Sequence, residues 1–125
     1  MLQSLVHYSL HFLVIGLIAF LYDQKHWKKY WLILLATMLV DLDHLVARPI
    51  FEAGRCSIGF HPLHSELMVA VYLLGSIFLK NRLLKIISIG LLFHMFTDFI
   101  DCIWNYATCL DCEMPPVLQK IQELL

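Results

Sequence analysis

Four long apolar runs alternate with short polar segments and predict four helices that cross a membrane. The runs cover about residues 4–22, 30–47, 63–79 and 84–106. Each is close to the ~20 residues that an α-helix needs to cross about 30 Å of hydrocarbon. Backbone polar groups in lipid must be hydrogen-bonded within the segment, so helices are expected. We predict an all-α fold, a polytopic membrane bundle of four transmembrane helices in a single domain over residues 1–125.

Both ends of the chain bear on this interpretation. The first run lacks the basic start and the small-residue cleavage site of a signal peptide, so we expect a permanent span. After Pro115 and Pro116, apolar residues recur on one face at helical spacing; they are Val117, Leu118, Ile121, Leu124 and Leu125. This pattern predicts a short C-terminal amphipathic helix on the membrane surface or against the bundle, although a frayed tail fits nearly as well.

The basic residues predict an orientation, because cytoplasmic loops are enriched in Lys and Arg. The loops after spans one and three hold six of them: Lys25, Lys28, Lys29, Lys80, Arg82 and Lys85. The opposite side holds Arg48, Arg55 and Lys120. We therefore predict a multi-pass protein of the cell inner (plasma) membrane, with both termini and the loop 48–62 on the non-cytoplasmic side.

Composition agrees with a membrane protein and limits the partners. Hydrophobic residues make up 60% of the chain, against about 45–50% in soluble domains, and the mean hydropathy is +0.73. The net charge of −1 suggests no nucleic-acid partner. The expected partner is the lipid bilayer, and four short spans are also consistent with half of a homodimer.

Ionisable residues gather in the predicted outer half of the bundle. Six of the seven histidines belong to this set, which contains His7, His11, Asp41, Asp43, His44, His61, His64, Glu66, His94, Asp98 and Asp101. Such groups are costly in a membrane and normally face the bundle interior, so we expect them to converge. Single members have simpler interpretations: a hydrogen-bonded core histidine for His7, a helix first turn for Glu66 and an interfacial hydrogen bond for Asp101.

Spacing within each span supports this convergence. His7 and His11 are four residues apart, as are His94 and Asp98, so each pair shares a helix face. Asp43 points away from Asp41 if the helix is regular. The second span is therefore predicted to end or distort near residues 41–44.

Mixed imidazole and carboxylate ligands predict a transition-metal site. Zinc is the first choice, and the set is larger than one zinc needs. It fits two ions bridged by an aspartate, or one ion with outer carboxylates that orient the histidines. The ion would activate water, with Asp43 and Asp98 as candidate catalytic carboxylates. Arg48 and Arg55 are candidates for binding an anionic substrate, although ordinary interfacial arginines fit equally well.

Four motifs carry a family resemblance. They are His11 followed by Gly16, Asp-Leu-Asp-His at 41–44, His-Pro-Leu-His-Ser at 61–65 and His-Met-Phe-Thr-Asp at 94–98. In this order they resemble the LexA-binding, inner-membrane-associated hydrolases, also described as membrane-bound metal-dependent hydrolases, over about residues 7–101. That family's third motif reads His-Arg-x-x-Thr-His-Ser, and here Pro62 and Leu63 replace and shorten its middle. The resemblance implies a set of metal-site residues: His11, Asp41, Asp43, His44, His64, His94 and Asp98.

The four cysteines, Cys56, Cys102, Cys109 and Cys112, all fall on the predicted outer side. Disulfides persist in oxidising compartments, so we predict one or two structural disulfides. Three complete pairings remain open, and Cys109-Leu-Asp-Cys112 also fits a redox or metal-binding motif.

The leading functional hypothesis is a metal-dependent membrane hydrolase with an outward-facing site. A lipid phosphoester or a similar amphiphile is the expected substrate. The alternative is a non-catalytic metal-binding or transport protein, although transport requires polar groups along the whole path and the inner halves of the spans are apolar. A structural protein with a buried polar network is the third interpretation.

Overall fold

The computed structural model describes residues 2–46, 48, 50, 56–109 and 114–125, and that part of the chain forms helices and turns without a strand. Five α-helices follow in order: α1 (Leu2–Tyr22), α2 (Trp27–Ala36), α3 (Glu66–Phe78), α4 (Arg82–Thr108) and α5 (Pro116–Leu124). Two 3₁₀ segments lie between α2 and α3, at Thr37–Val46 and Pro62–His64. The predictions of an all-α fold and of a C-terminal helix are confirmed.

Two of the described helices, α1 and α4, are long and apolar enough to cross a membrane. The sequence predicts four such helices. The second and third apolar runs form shorter α-helices than expected, and each has a local cause. The second run is α-helical for only 10 residues before it tightens into the 3₁₀ segment at Thr37. The third run yields only the 13-residue α3, because Pro62 begins a separate 3₁₀ turn and Ser65 caps the helix.

Helix α4 lies at the centre of the fold and contacts α1, α2 and α3. Small residues allow the close approaches, as is common where helices cross in membranes. A Cβ on Gly90 would lie 2.8 Å from side-chain atoms of both Leu34 and Thr37. A Cβ on Gly75 of α3 would lie 2.5 Å from Ser88 Oγ of α4. Both glycines therefore set the distance between α4 and its neighbours.

One end of the bundle is closed by an apolar core and by contacts between two hairpin loops. The core there consists of Ile15, Ala19, Tyr30, Leu34 and Ile86. Below it, Arg82 at the start of α4 forms an ion pair of 3.1 Å with Asp23 in the loop after α1. The two lysine-rich loops thus lie at the same end of the bundle, as the orientation argument requires.

Ionisable side chains are buried and many large apolar side chains are exposed, which is the reverse of the usual distribution in a soluble protein. The side chains of His64, His94 and Asp98 are buried, whereas Leu13 and Phe78 are 71% and 72% exposed. Many further large apolar side chains are exposed along α1, α3 and α4. Apolar surface of this extent is rare on soluble monomers and marks contact with lipid or another apolar partner.

Replacing Gly90 with alanine tests the close packing of α4 on α2. We expect Gly90→Ala to lower the free energy of unfolding by about 1–3 kcal/mol, the usual cost of overpacking. The Thr37 side chain cannot easily move aside, because its Oγ1 donates a 2.6 Å hydrogen bond to Leu34 O. Thermal unfolding in detergent, followed by circular dichroism, measures the change.

Gly16→Ala is the matched control. A Cβ there would lie 3.5 Å from the Trp31 ring, an ordinary contact. Alanine also favours a helix interior over glycine by up to about 1 kcal/mol. The control should unfold at or above the wild-type temperature, and equal stability of the two variants would contradict the packing argument.

Candidate metal centre

Four segments bring ionisable side chains together at the end of the bundle opposite the two lysine-rich loops. Helix α1 contributes His7 and His11, and α4 contributes His94 and Asp98. The remaining side chains come from the two 3₁₀ segments, which supply Asp41, Asp43, His44 and His64. The convergence predicted from the sequence therefore occurs for these eight side chains.

Helix α1 is irregular where it carries His11. Residues Leu10–Val14 form a π-helical turn, a feature that is frequent at functional sites. Trp31 Nε1 of α2 donates to Phe12 O in this turn, at 3.1 Å. This bond ties the irregular turn to the neighbouring helix and leaves His11 buried in the bundle.

The 3₁₀ segment Thr37–Val46 determines the directions of its acidic residues. A 3₁₀ helix repeats every three residues, so Asp41 and His44 lie on one face and Asp43 lies about a third of a turn away. Asp41 accordingly contacts His94, whereas Asp43 contacts His64. The predicted distortion near residues 41–44 is confirmed, and it begins earlier, at Thr37.

Asp41, His64, His94 and Asp98 form the largest of the candidate ligand groups in the described residues. Asp41 Oδ1 lies 3.0 Å from His94 Nε2 and 3.5 Å from His64 Nε2. Asp98 Oδ2 lies 3.1 Å from His64 Nε2 and 3.5 Å from His94 Nε2. All four candidate ligand atoms lie within 4.8 Å of one another.

The two shorter separations are hydrogen-bond distances, and all four are also compatible with the ligand spacing of a metal ion. Tetrahedral ligands with bonds of about 2.0–2.1 Å stand roughly 3.3–3.4 Å apart. His64 Nε2 and Asp98 Oδ2 are buried and lie 3.1 Å from each other, but neither makes a hydrogen bond of good geometry within the described part of the chain. Buried polar atoms rarely remain unsatisfied, so a cation between them accounts for the arrangement.

A second carboxylate stands behind His64. Asp43 Oδ2 accepts hydrogen bonds from His64 Nδ1 at 3.1 Å and from Leu63 N at 2.9 Å. Metal-binding histidines commonly donate their other ring nitrogen to a carboxylate, which fixes the tautomer and strengthens the ligand. Asp43 therefore orients His64 so that its Nε2 faces Asp41 Oδ1 and Asp98 Oδ2.

His7 and His11 form a second group with Asp98. The ring centroid of His11 lies 4.5 Å from that of His7 and 4.7 Å from that of His94. His11 is buried, and its Nε2 has no hydrogen-bond partner among the described residues. His7 Nδ1 contacts Asp101 Oδ2, an arrangement that repeats the His64–Asp43 pair.

His44 and His61 lie at the edge of the cluster. Their rings are stacked, with centroids 3.9 Å apart. His44 Nε2 lies 3.7 Å from Asp41 Oδ1 and 3.9 Å from Asp43 Oδ1. His44 also forms a third candidate ligand group with Asp43 and His64.

Three other residues from the sequence analysis stand apart from these groups. The carboxylate of Glu66 pairs with Lys120 of α5, so Glu66 joins α3 to the C-terminal helix. Arg48 is exposed, two positions beyond the 3₁₀ segment. Arg55 lies outside the described residues, so its predicted role in substrate binding stays a prediction.

A polar cavity of about 380 Å³ adjoins the cluster. Asp41, His44 and Asp98 line it, as do the side chains of Gln3 and Asn105, which are joined by a 2.9 Å hydrogen bond. These two amides were not among the site residues predicted from the sequence. Helical spacing could have found them, because Gln3 precedes His7 by four residues and Asn105 follows Asp101 by four, on the faces that carry the ligands.

A disulfide joins Cys56 to Cys102 at the wall of this cavity. Cys102 follows Asp98 by one helical turn, so the bond holds the start of the segment 56–61 against α4 beside the cluster. The prediction of a disulfide is confirmed for this pair. Cys109 is also disulfide-bonded, and Cys112 lies outside the described residues.

Comparison with known proteins yields a family but no characterised relative. No curated protein and no solved structure matches the chain. Residues 1–105 match a family of unknown function, DUF6122, and this region contains all four segments that build the cluster. The chain therefore belongs to the DUF6122 family.

Proposed function

We propose that this protein is a membrane-embedded, metal-dependent hydrolase. The observation that carries the proposal is the convergence of candidate ligand atoms from Asp41, His64, His94 and Asp98 beside a polar cavity; the last three side chains are buried, and that of Asp41 is 43% exposed. A site for structural metal alone is usually closed, whereas a catalytic site keeps an open position for water or substrate.

The membrane part of the proposal extends to four membrane-embedded segments. A 3₁₀ helix rises about 2.0 Å per residue against 1.5 Å in an α-helix. The 10 α-helical and 10 3₁₀ residues between Trp27 and Val46 therefore extend over roughly 35 Å, enough to cross the hydrocarbon. Helix α3 covers only about 20 Å, which would place His64, just before it, below the membrane surface. The exposed apolar surface supports this placement.

Reporter fusions test the proposed topology. Alkaline phosphatase joined after Leu125 should be active in a bacterial host, because it folds only on the oxidising side. The same enzyme joined after Asn81 should be inactive, while a green fluorescent protein at that position should fluoresce. The reverse pattern would contradict the orientation inferred from the lysine-rich loops.

We assign Asp41, His64, His94 and Asp98 as the ligands of one divalent ion, with zinc the first choice for this donor set. When bound, the ion would supply a hydroxide nucleophile at neutral pH and polarise the bond to be cleaved. Asp43 is then a positioning residue, because its carboxylate is engaged by His64 and Leu63. This differs from its expected role as a catalytic carboxylate.

His44 is the candidate general base. It lines the cavity, and its Nε2 lies 3.7 Å from Asp41 Oδ1, next to the proposed ion. That nitrogen is buried without a hydrogen-bond partner among the described residues. A histidine in this position can accept a proton from water as the water attacks the substrate.

The surroundings of the site favour an amphiphilic substrate, such as a lipid phosphoester. An apolar groove of about 590 Å³ runs beside the cluster helices, lined by Ile18, Val69, Phe93, Phe96 and other residues. It has the character expected for an acyl chain, while the polar cavity would receive the headgroup. Exposed Arg48 is available to an anionic headgroup.

Metal content is the primary test. Purified wild-type protein should contain zinc or another transition metal, and His94→Ala should lose most of it because a ligand is removed. His26→Ala is the matched control, since His26 lies in the loop at the other end, beside Asp23. Elemental analysis of folded, detergent-purified samples measures the content. A metal-free wild type after reconstitution with several ions would overturn the proposal.

Removing the base should separate chemistry from metal binding. We expect His44→Ala to retain the metal and to lower kcat by about 10²–10⁴-fold, the usual contribution of a general base. Hydrolysis of a panel of lipid phosphoesters and esters in detergent micelles measures the rate. Undiminished turnover by folded His44→Ala would exclude His44 as the base.

A transport function has less support. A transporter needs a polar path with access from both sides. At the end opposite the site, the buried core of the described residues consists of Ile15, Ala19, Tyr30, Leu34 and Ile86, with no ligand group. Metal storage remains the alternative outcome if the metal is present and no hydrolysis is found.

A further inference from the structure

We propose a second divalent cation in this centre, held by His7 and His11 and joined to the first by the carboxylate of Asp98. The inference rests on the proposed function, because Asp98 is also a ligand in the group of four. His7, His11 and Asp98 offer ligand atoms within 4.8 Å of one another. A carboxylate has two oxygens and can therefore bind two ions at once.

The first support is the position of His11. Its side chain is 2% exposed, and its Nε2 is buried without a hydrogen-bond partner among the described residues. An unsatisfied buried nitrogen costs free energy, and helix α1 already departs from regular geometry at this point. A cation beside His11 would satisfy this nitrogen and give the π-helical turn a function.

The second support is a repeated local arrangement. His64 in the first group donates Nδ1 to Asp43, and His7 in the second group contacts Asp101 through Nδ1. In both pairs the aspartate leaves Nε2 as the nitrogen available for a metal. Gln3 strengthens the second pair, since its amide donates to Asp101 Oδ1 at 3.4 Å and to Asn105 Oδ1 at 2.9 Å. Two histidines whose Nδ1 atoms each contact an aspartate, one in each group, indicate two ions.

The third support is charge. Asp41, Asp43, Asp98 and Asp101 carry four negative charges when ionised, and in the described part of the chain none of them pairs with a Lys or Arg side chain. With the ligand histidines neutral, one divalent ion balances only two of these charges. Asp43 and Asp98 are buried, where uncompensated charge is strongly disfavoured, whereas Asp41 and Asp101 are partly exposed and line the polar cavity. A second divalent ion brings the sum to zero.

Manganese loading followed by electron paramagnetic resonance tests the second ion directly. Wild-type protein, stripped with chelator and reloaded with Mn²⁺, should bind two ions and show the spectrum of an exchange-coupled pair. His11→Ala and His7→Ala should each bind one ion and show the six-line spectrum of an isolated Mn²⁺. His26→Ala should behave as the wild type does.

The outcomes separate this inference from the proposed function. One uncoupled ion in wild type, unchanged in His11→Ala, would overturn the second site and leave the first intact. No bound ion in any sample would overturn both. Two ions whose spectra are uncoupled would contradict the bridge through Asp98. The side chain of His7 is 27% exposed, so His7→Ala provides a variant that should fold if His11→Ala does not.

Discussion

The cost of placing ionisable side chains inside an apolar bundle is the constraint on which this structure depends. Burying an unpaired carboxylate costs several kcal/mol even after relaxation, yet the carboxylates of Asp43 and Asp98 are both buried. Each lies within hydrogen-bonding or ligand distance of imidazoles from other segments. Conversely, side chains that a soluble protein would bury are exposed on the outside. The exposed apolar surface is consistent with an apolar surrounding, and the buried carboxylates depend on the imidazoles that contact them.

Two segments that depart from regular α-helix geometry bring the buried ionisable side chains into contact with one another. In the Thr37–Val46 segment, the 3₁₀ repeat directs Asp41 towards α4 and Asp43 towards the Pro62–His64 turn. In a regular α-helix, residues two positions apart point about 160° away from each other around the axis, against about 120° in a 3₁₀ helix. The 3₁₀ repeat therefore brings the two carboxylates closer to one cluster. The π-helical turn at Leu10–Val14 acts similarly for His11. The irregular segments coincide with the ligands, as is common at functional sites.

The sequence predicts the parts of this arrangement that depend on regular local geometry. His94 and Asp98 lie one turn apart on α4, and their spacing alone places them on one face. The helical class and the gathering of histidines at one end follow from hydrophobic runs and residue positions. The different contacts of Asp41, with His94, and of Asp43, with His64, do not follow from the sequence. They depend on a 3₁₀ repeat that tertiary packing selects. The predicted third span is longer than α3. Ser65 caps the helix at its start, but the apolar run continues on both sides of Ser65 and hides this boundary in the sequence.

The asymmetry of the bundle along its axis narrows the functions available to the cluster. Gly90 brings α4 against Leu34 and Thr37 on the side of the apolar core. On the other side a polar cavity reaches Asp41 and Asp98, and the Cys56–Cys102 disulfide holds a loop segment at its wall. This cavity is the polar one that adjoins the cluster in the part of the chain that the structure describes. A polar cavity on this side suits the proposed chemistry, in which a substrate enters and leaves by the same route.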